Sequence, residues 1–264
     1  MVEEEEKTVL LVFDEKLTEQ SKVLLKGIRE CLTGQVLIYC IVSANVDDRQ
    51  KAELLKLAKI IDLRLNIVEE ISPWGEFASQ ARSPIAYQKF LWELLIHNLP
   101  GKLLYLDIDI VPMRNFDELF GFEFREAFAA VALDDRISRK FRRWNKTANG
   151  GVVVFNTKIW LIEDLTEIVI KFIDSSTKSS LYADLVLNKI YYDRWNKLNS
   201  KYNCTYAKTF QFSYLRMRHS ISLVHFMGPR KPLKTSRATP FNSHIIKTFK
   251  RRQGEVAEIL NSLK

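Results

Sequence analysis

Apolar positions along the chain alternate between two patterns. Thr8–Phe13 (TVLLVF) and Gln35–Val42 (QVLIYCIV) are unbroken apolar runs, as expected of strands buried on both faces. Between them, Val23, Leu24, Ile28, Cys31 and Leu32 recur at helical spacing. This predicts a helix over 18–32 with Thr18 as its N-cap. Asp47–Ile61 predicts a second helix, with Asp47 or Asp48 near its start, and Arg64–Val68 a third, short strand. The β-α-β-α-β rhythm implies a parallel α/β sheet with right-handed crossovers.

Further along, residues 84–98 predict an aromatic-rich helix (Tyr87, Phe90, Leu91, Leu94, Leu95) that ends at Pro100-Gly101. Lys102–Leu106 (KLLYL) then reads as a strand running directly into Asp107-Ile108-Asp109. Strands are expected at Phe128–Leu133, ending at Asp134-Asp135, and at Gly151–Phe155; helices at 157–174 and 180–192; and a late strand at Ser220–Phe226 that delivers His225. From Asn242 the tail has a helical pattern (Ile245, Ile246, Phe249, Val256, Ile259, Leu260), with Gly254 interrupting it. No internal repeat and no linker is evident. The expected organisation is one compact α/β domain over 1–240 and a basic amphipathic C-terminal helix over 241–264.

Composition narrows the class. With 47% hydrophobic residues and only 9 Gly and 7 Pro, the chain is neither collagenous nor low-complexity. Cys31, Cys40 and Cys204 lack the close spacing of a zinc site and read as buried free thiols. No run approaches the ~18–20 apolar residues of a membrane span, and the start at Glu3–Glu6 is the reverse of a basic signal peptide. The expected location is cytoplasmic, with peripheral membrane contact as an option. The net charge of +8 is local: Arg230–Lys264 holds nine of the 40 Lys and Arg and two of the 32 Asp and Glu. A second patch, Arg136–Lys146, carries six cations and no acid; following Asp134-Asp135, it reads as a flap over the site or a plain surface loop.

The chemistry should lie beyond the carboxyl ends of the strands, where open α/β sheets bind ligands. Acids cluster there: Asp14, then Asp107 and Asp109, then Asp134 and Asp135. Two residues apart in extended backbone, Asp107 and Asp109 project to one side, an arrangement that suits a hard divalent cation shared with phosphate oxygens. With 13 Asp in 264 residues, about 0.6 such pairs arise by chance, so the pair alone says little. The string His225-Phe226-Met227-Gly228-Pro229-Arg230-Lys231-Pro232 says more, since an H-x-x-G-x-x-K-P pattern is expected only about 3 × 10⁻⁴ times in a chain of this composition. An imidazole at a strand end can complete a metal site, Gly228 permits close backbone approach to a phosphate, and Lys231 supplies positive charge for a diphosphate.

At these residues the sequence resembles glycosyltransferase family 8, the retaining GT-A enzymes that include glycogenin and bacterial lipopolysaccharide galactosyl- and glucosyltransferases. The resemblance runs from about residue 8 to 234. Leu104–Asp109 is similar to the family's D-x-D strand, Asn149–Asn156 (NGGVVVFN) to its N-A-G-V-hydrophobic-N segment, and Ser83–Phe90, with Tyr87 and Lys89, to its donor-contacting helix. Leu187-Asn188 closes a D-Q-x-x-L-N segment, and His225–Pro232 is similar to the last motif.

The resemblance implies a GT-A (Rossmann-like) fold with a mostly parallel sheet flanked by helices and a helical C-terminal appendage. It implies a UDP-sugar donor and Mn²⁺ or Mg²⁺ held by Asp107, Asp109 and His225. Lys231 and the Gly228 backbone would hold the diphosphate, Asn149, Asp134 and Lys89 would face the sugar, and Asp14 the base and ribose. The activity implied is retaining transfer of glucose or galactose to a hydroxyl of a glycan, a lipid-linked saccharide or a protein. The sequence departs from the family at Ala183-Asp184, in place of Asp-Gln, at Lys89, where arginine is common, at Phe13-Asp14-Glu15-Lys16 and at Leu233. Asp184 could act as a nucleophile at the anomeric carbon or only position the sugar. The competing expectation is a catalytically degenerate transferase fold that binds nucleotide sugar, membrane or nucleic acid through its basic tail. Nucleic acid is the less expected partner, because the near-neutral body carries the transferase-like motifs.

Overall fold

The computed structural model describes residues 6–73, 84–133, 147–175, 186–190, 194–206, 217–227 and 243–262. Asp134, Asp184, Gly228 and Lys231, and the Arg136–Lys146 patch, lie outside the described residues.

The apolar runs form the expected sheet. Strands β1 (Lys7–Phe13), β2 (Val36–Val42), β3 (Arg64–Glu69), β4 (Lys102–Leu106), β6 (Ala129–Leu133), β7 (Ala148–Asn156) and β8 (Trp195–Lys197) lie in the order β3-β2-β1-β4-β7-β6-β8. All pairings are parallel except those of β7, which opposes β4 and β6. Side-chain alternation divides the core into two layers. Val9, Leu11, Phe13, Leu104 and Leu106 face helices α1 (Thr18–Cys31) and α2 (Asp48–Ile60). Leu10, Val12, Leu103 and Tyr105 face the opposite layer, built from residues 84–96 with α4 (Thr157–Ile162) and α5 (Leu165–Ser175). A second sheet of three short strands stands beside the first, in the order β5 (Ile110–Pro112), β10 (Leu223–His225), β9 (Cys204–Thr205). All three cysteines are buried and free.

Several local expectations are corrected. Thr18 is not an N-cap: Asp14 caps a 3-10 turn at Glu15–Leu17, and α1 follows from it with Leu17 at the cap position. Residues 84–98 are not one helix but a 3-10 segment, Pro84–Phe90, and a single α-turn, α3 (Trp92–Leu95). Tyr87 through Trp92 are all buried, which no one face of an α-helix can provide. The helix expected at 157–174 breaks at Asp164, whose φ of 51° is a left-handed conformation that ends α4. Asp47, by contrast, caps α2 as anticipated, in a reciprocal box with Gln50.

The C-terminal helix α6 (Ser243–Asn261) is continuous through Gly254, where the ~1 kcal/mol helix penalty of glycine is outweighed by docking on both sides. Ile245, Ile246 and Phe249 pack against Val111, Val224 and Phe226 of the small sheet, and Val256 joins the α1–α2 layer. Arg252 is buried and donates to Glu30 (2.9 Å) and to the Pro112 carbonyl (2.5 Å). Burial pushes the Glu30 carboxyl up, but Arg251 and Arg252 outweigh it and bring it to about 2. The apolar face of the amphipathic C-terminal helix is therefore buried against the small sheet and the α1–α2 layer. No helix among the described residues is long and apolar enough to cross a membrane.

Candidate active site

Strand β4 lies beside β1 in the parallel part of the sheet, and its carboxyl end delivers Asp107. The Asp107 amide donates to the Gly151 carbonyl (2.8 Å), which ties the end of β4 to β7. Buried Gln20 on α1 donates to the Ile108 carbonyl (2.8 Å), fixing the turn between the two aspartates. Asp109 leads into β5, which pairs antiparallel with β10 so that Ile110 lies opposite His225, and the Phe226 amide donates to the Asp109 carbonyl (2.9 Å). Backbone pairing alone thus brings His225 over both aspartates.

The three side chains form one cluster. His225 Nε2 lies 3.1 Å from Asp109 Oδ1 and 3.4 Å from Asp107 Oδ2, and one ligand atom from each residue falls within 4.8 Å of the others. Asp109 and His225 are buried, while the Asp107 side chain is 32% exposed and gives the cluster its open side. Burial pulls the His225 imidazole down, but Asp109 and Asp107 outweigh it and raise it to about 9. Burial likewise pushes Asp107 up, and Lys89, His225 and Tyr105 more than offset this, holding its carboxyl well below the usual carboxylate range. Two carboxylate oxygens and one imidazole nitrogen, turned toward each other with one face open, fit a hard divalent cation that completes its shell with ligand oxygens.

Gly151 makes this approach possible. A Cβ there would stand 2.2 Å from His225 Cε1 and 3.0 Å from Asp107 Oδ2. Lys89 is buried, donates to the Gly150 carbonyl (2.9 Å) and sits 4.8 Å over the Tyr105 ring, whose hydroxyl donates to Asp107 Oδ1. It is a fixed cation behind the aspartates rather than a freely extended side chain. Asn149 is also buried; its Oδ1 accepts from the Gly151 amide (3.1 Å) and from Asn203 Nδ2 (2.7 Å). Asn188 binds both backbone groups of Ala148 (2.7 and 2.9 Å), fastening the 186–190 turn to the start of β7. Asp14 lies apart at the end of β1, its carboxylate accepting from the Lys16 amide (3.2 Å). Glu70, at the end of β3, is raised by burial and by Asp14, so these two carboxylates share the edge beyond β1–β3.

Asn203, Tyr105, Gln20 and Glu70 were not expected from the sequence. Tyr105, two residues before Asp107 on one strand face, carried a usable signal; Asn203 carried none.

The sequence profile of glycosyl transferase family 8 matches residues 8–235. A lipopolysaccharide 1,2-glucosyltransferase of Escherichia coli is 32% identical over 151 residues, covering 49% of this chain and 44% of that protein. The general stress protein A of Bacillus subtilis (strain 168) is 23% identical over 161 residues, covering 53% of this chain and 55% of that one. The matches thus span about half the length of these relatives. Among solved structures, the galactosyltransferase LgtC in complex with donor and acceptor sugar analogs superposes with a TM-score of 0.73 at 15% identity, over 94% of this chain and 95% of that one. At that identity the likeness establishes a shared GT-A fold.

Proposed function

Because the chain belongs to glycosyltransferase family 8, we propose that it transfers a hexosyl group, glucose or galactose, from a UDP-sugar to an acceptor hydroxyl with retention of configuration, using Mn²⁺ or Mg²⁺. The observation that carries this reading is the Asp107–Asp109–His225 cluster at the carboxyl end of β4. Those three residues would hold the cation, which when bound supplies Lewis-acid stabilisation of a departing diphosphate.

The remaining roles follow position in the family motifs. Lys231 and the Gly228 backbone hold the diphosphate. Asn149, Asp134, Lys89 and Asp184 serve the sugar. Asp14 serves the base and ribose. The buried Lys89 ammonium supports this reading by setting positive charge behind Asp107, which keeps that carboxylate ionised for a cation. The acceptor is a glycan, a lipid-linked saccharide or a protein.

The test is UDP release from a panel of UDP-sugars, with and without Mn²⁺. The proposal expects metal-dependent release from UDP-glucose or UDP-galactose that is lost in Asp109→Asn. No release from any donor, together with no metal-dependent UDP binding, would refute it.

A further inference from the structure

Both nitrogens of the His225 ring have neighbours in the site. Nε2 faces Asp109 and Asp107, at 3.1 and 3.4 Å, and Nδ1 lies 2.9 Å from Asn203 Oδ1. A carboxamide can in principle present either its oxygen or its nitrogen to a ring nitrogen. Here the choice is forced from the far end. The Gly151 amide is a backbone N–H, so the atom of Asn149 that accepts from it at 3.1 Å is the oxygen. That oxygen also receives the Asn203 side chain at 2.7 Å, so the Asn203 atom there is its NH₂. The oxygen of Asn203 must then face His225, and Nδ1 must donate to it. A single peptide N–H on β7 therefore sets the polarity of every bond up to the imidazole. Asn149, Asn203 and His225 are 1%, 3% and 3% exposed, so water cannot substitute for a missing partner.

We propose that Asn149 and Asn203 form a carboxamide relay that retains the Nδ1 proton of His225, leaves Nε2 as the nitrogen that gives up its proton to a cation between Asp107 and Asp109, and so sets the cation affinity of the cluster. Both are positioning residues, and Asn149 acts on the site through His225. The proposal rests on the cluster being a metal site. Partners that orient a metal-bound histidine in this way typically govern affinity about 10–100-fold.

The experiment is Mn²⁺ titration of the full chain without nucleotide sugar, read by loss of the free aquo-ion EPR signal. Asn203→Leu keeps the volume and removes the acceptor, and should weaken binding about 10–100-fold. Asn203→Asp retains an acceptor for Nδ1 but sets a carboxylate oxygen against Asn149 Oδ1, so its affinity should fall between those of the parent and Asn203→Leu. Asn149→Leu should also weaken Mn²⁺ binding, whereas a residue that only contacts the sugar would leave it unchanged. Thr205→Val is the control: Thr205 pairs with His225 across β9–β10, and its buried hydroxyl has no hydrogen-bond partner among the described residues. This variant should bind Mn²⁺ as the parent does. If the parent binds and both Leu variants match it within about twofold, the relay is overturned while the metal site stands. If Thr205→Val falls as far as Asn203→Leu, a general disturbance of β9 explains the loss and the relay is overturned. If the parent itself binds no Mn²⁺, the metal site fails and the relay with it. Should Asn203→Leu not fold, Asn149→Leu and Asn203→Asp decide between the same outcomes.

Discussion

A single methyl group at Gly151 should disable the cation site. A Cβ at that position would lie 2.2 Å from His225 Cε1 and 2.6 Å from Nδ1. Carbon contacts settle near ~3.5 Å, so the ring would have to retreat by about 1 Å or more. The ring has little room to do so, being 3% exposed and held at Nδ1 by Asn203. Metal sites tolerate ligand displacements of only about 0.2 Å. Gly151→Ala should therefore remove His225 as a ligand and weaken Mn²⁺ binding by about 100-fold or more, about 2.7 kcal/mol. Overpacking should also destabilise the fold by about 1–3 kcal/mol. A double-mutant cycle with His225→Ala isolates the contact, because shrinking the ring opens the space the methyl needs. In that background Gly151→Ala should cost less than about 0.5 kcal/mol by denaturant unfolding. Parent-like Mn²⁺ affinity in Gly151→Ala, or an equal stability cost in both backgrounds, would refute the reasoning.

Two further predictions concern stability away from the site. Arg251 and Arg252 bring Glu30 to about 2 in the folded protein, against an ordinary value of about 4.5, so the pairing stabilises the protein fully above about pH 4.5 and is lost as pH falls through about 2. Discounted for its partial exposure, Glu30→Gln should cost roughly 1–2 kcal/mol at pH 7, and the gap to the parent should close by pH 2; a gap that does not narrow in acid would contradict the assignment. Lys22 is 1% exposed and pairs with Glu19 (2.6 Å) and Glu53 (2.7 Å). Glu19 stays largely in water and Glu53 keeps Arg49, so Lys22→Met removes a desolvated cation without stranding an acid. Its Tm should stay within about 3 °C of the parent or rise, and a fall of 10 °C would show that the pair stabilises the fold.

The central sheet was legible because its strands are long apolar runs and its first two helices have clear periodicity. The Asp107/Asp109 pair was legible as close carboxylates and the three residues do meet, but through a turn closed by the Ile110 amide on the Asp107 carbonyl (3.1 Å) and not through the extended backbone that the spacing implied. What the sequence hid depends on tertiary placement. Strands β5 and β9 have three and two residues, too few for any period to register. Asn203 lies 54 residues from Asn149 and 22 from His225, and only the β9–β10 pairing reveals its role. The 84–98 segment carries helical composition, but Tyr87–Trp92 are buried all round between the sheet and α4–α5, and Gln88 is drawn off to bind the Ile71 backbone. Gly151 stood in a recognisable motif, yet the cause of its being glycine is the imidazole on a strand 74 residues later.

The basic tail shows how the same residues change meaning once packed. As a sequence, Lys247, Lys250, Arg251 and Arg252 beside Ile245, Ile246 and Phe249 describe an amphipathic surface helix. In the fold, the apolar residues close the small sheet that carries His225, and Arg252 reaches through to the Pro112 carbonyl of β5, three residues beyond Asp109. Gly27 on α1 leaves room for that guanidinium, since a Cβ there would lie 2.8 Å from one of its nitrogens. The aspartate and the histidine arrive on strands β5 and β10, which are only three residues long and could not stay in register unaided. Two supports hold them: α6 clamps the β5–β10 ladder from outside, while the Asn149–Asn203 bonds fix it from β7. The positive charge of the helix is thus divided, with Arg252 paired to Glu30, Arg251 paired to Glu30 and Glu255, and Lys247 and Lys250 exposed to solvent. A helix docked in this way supports the strands that carry the cluster, which is a different physical role from the surface attraction that its charge alone suggests.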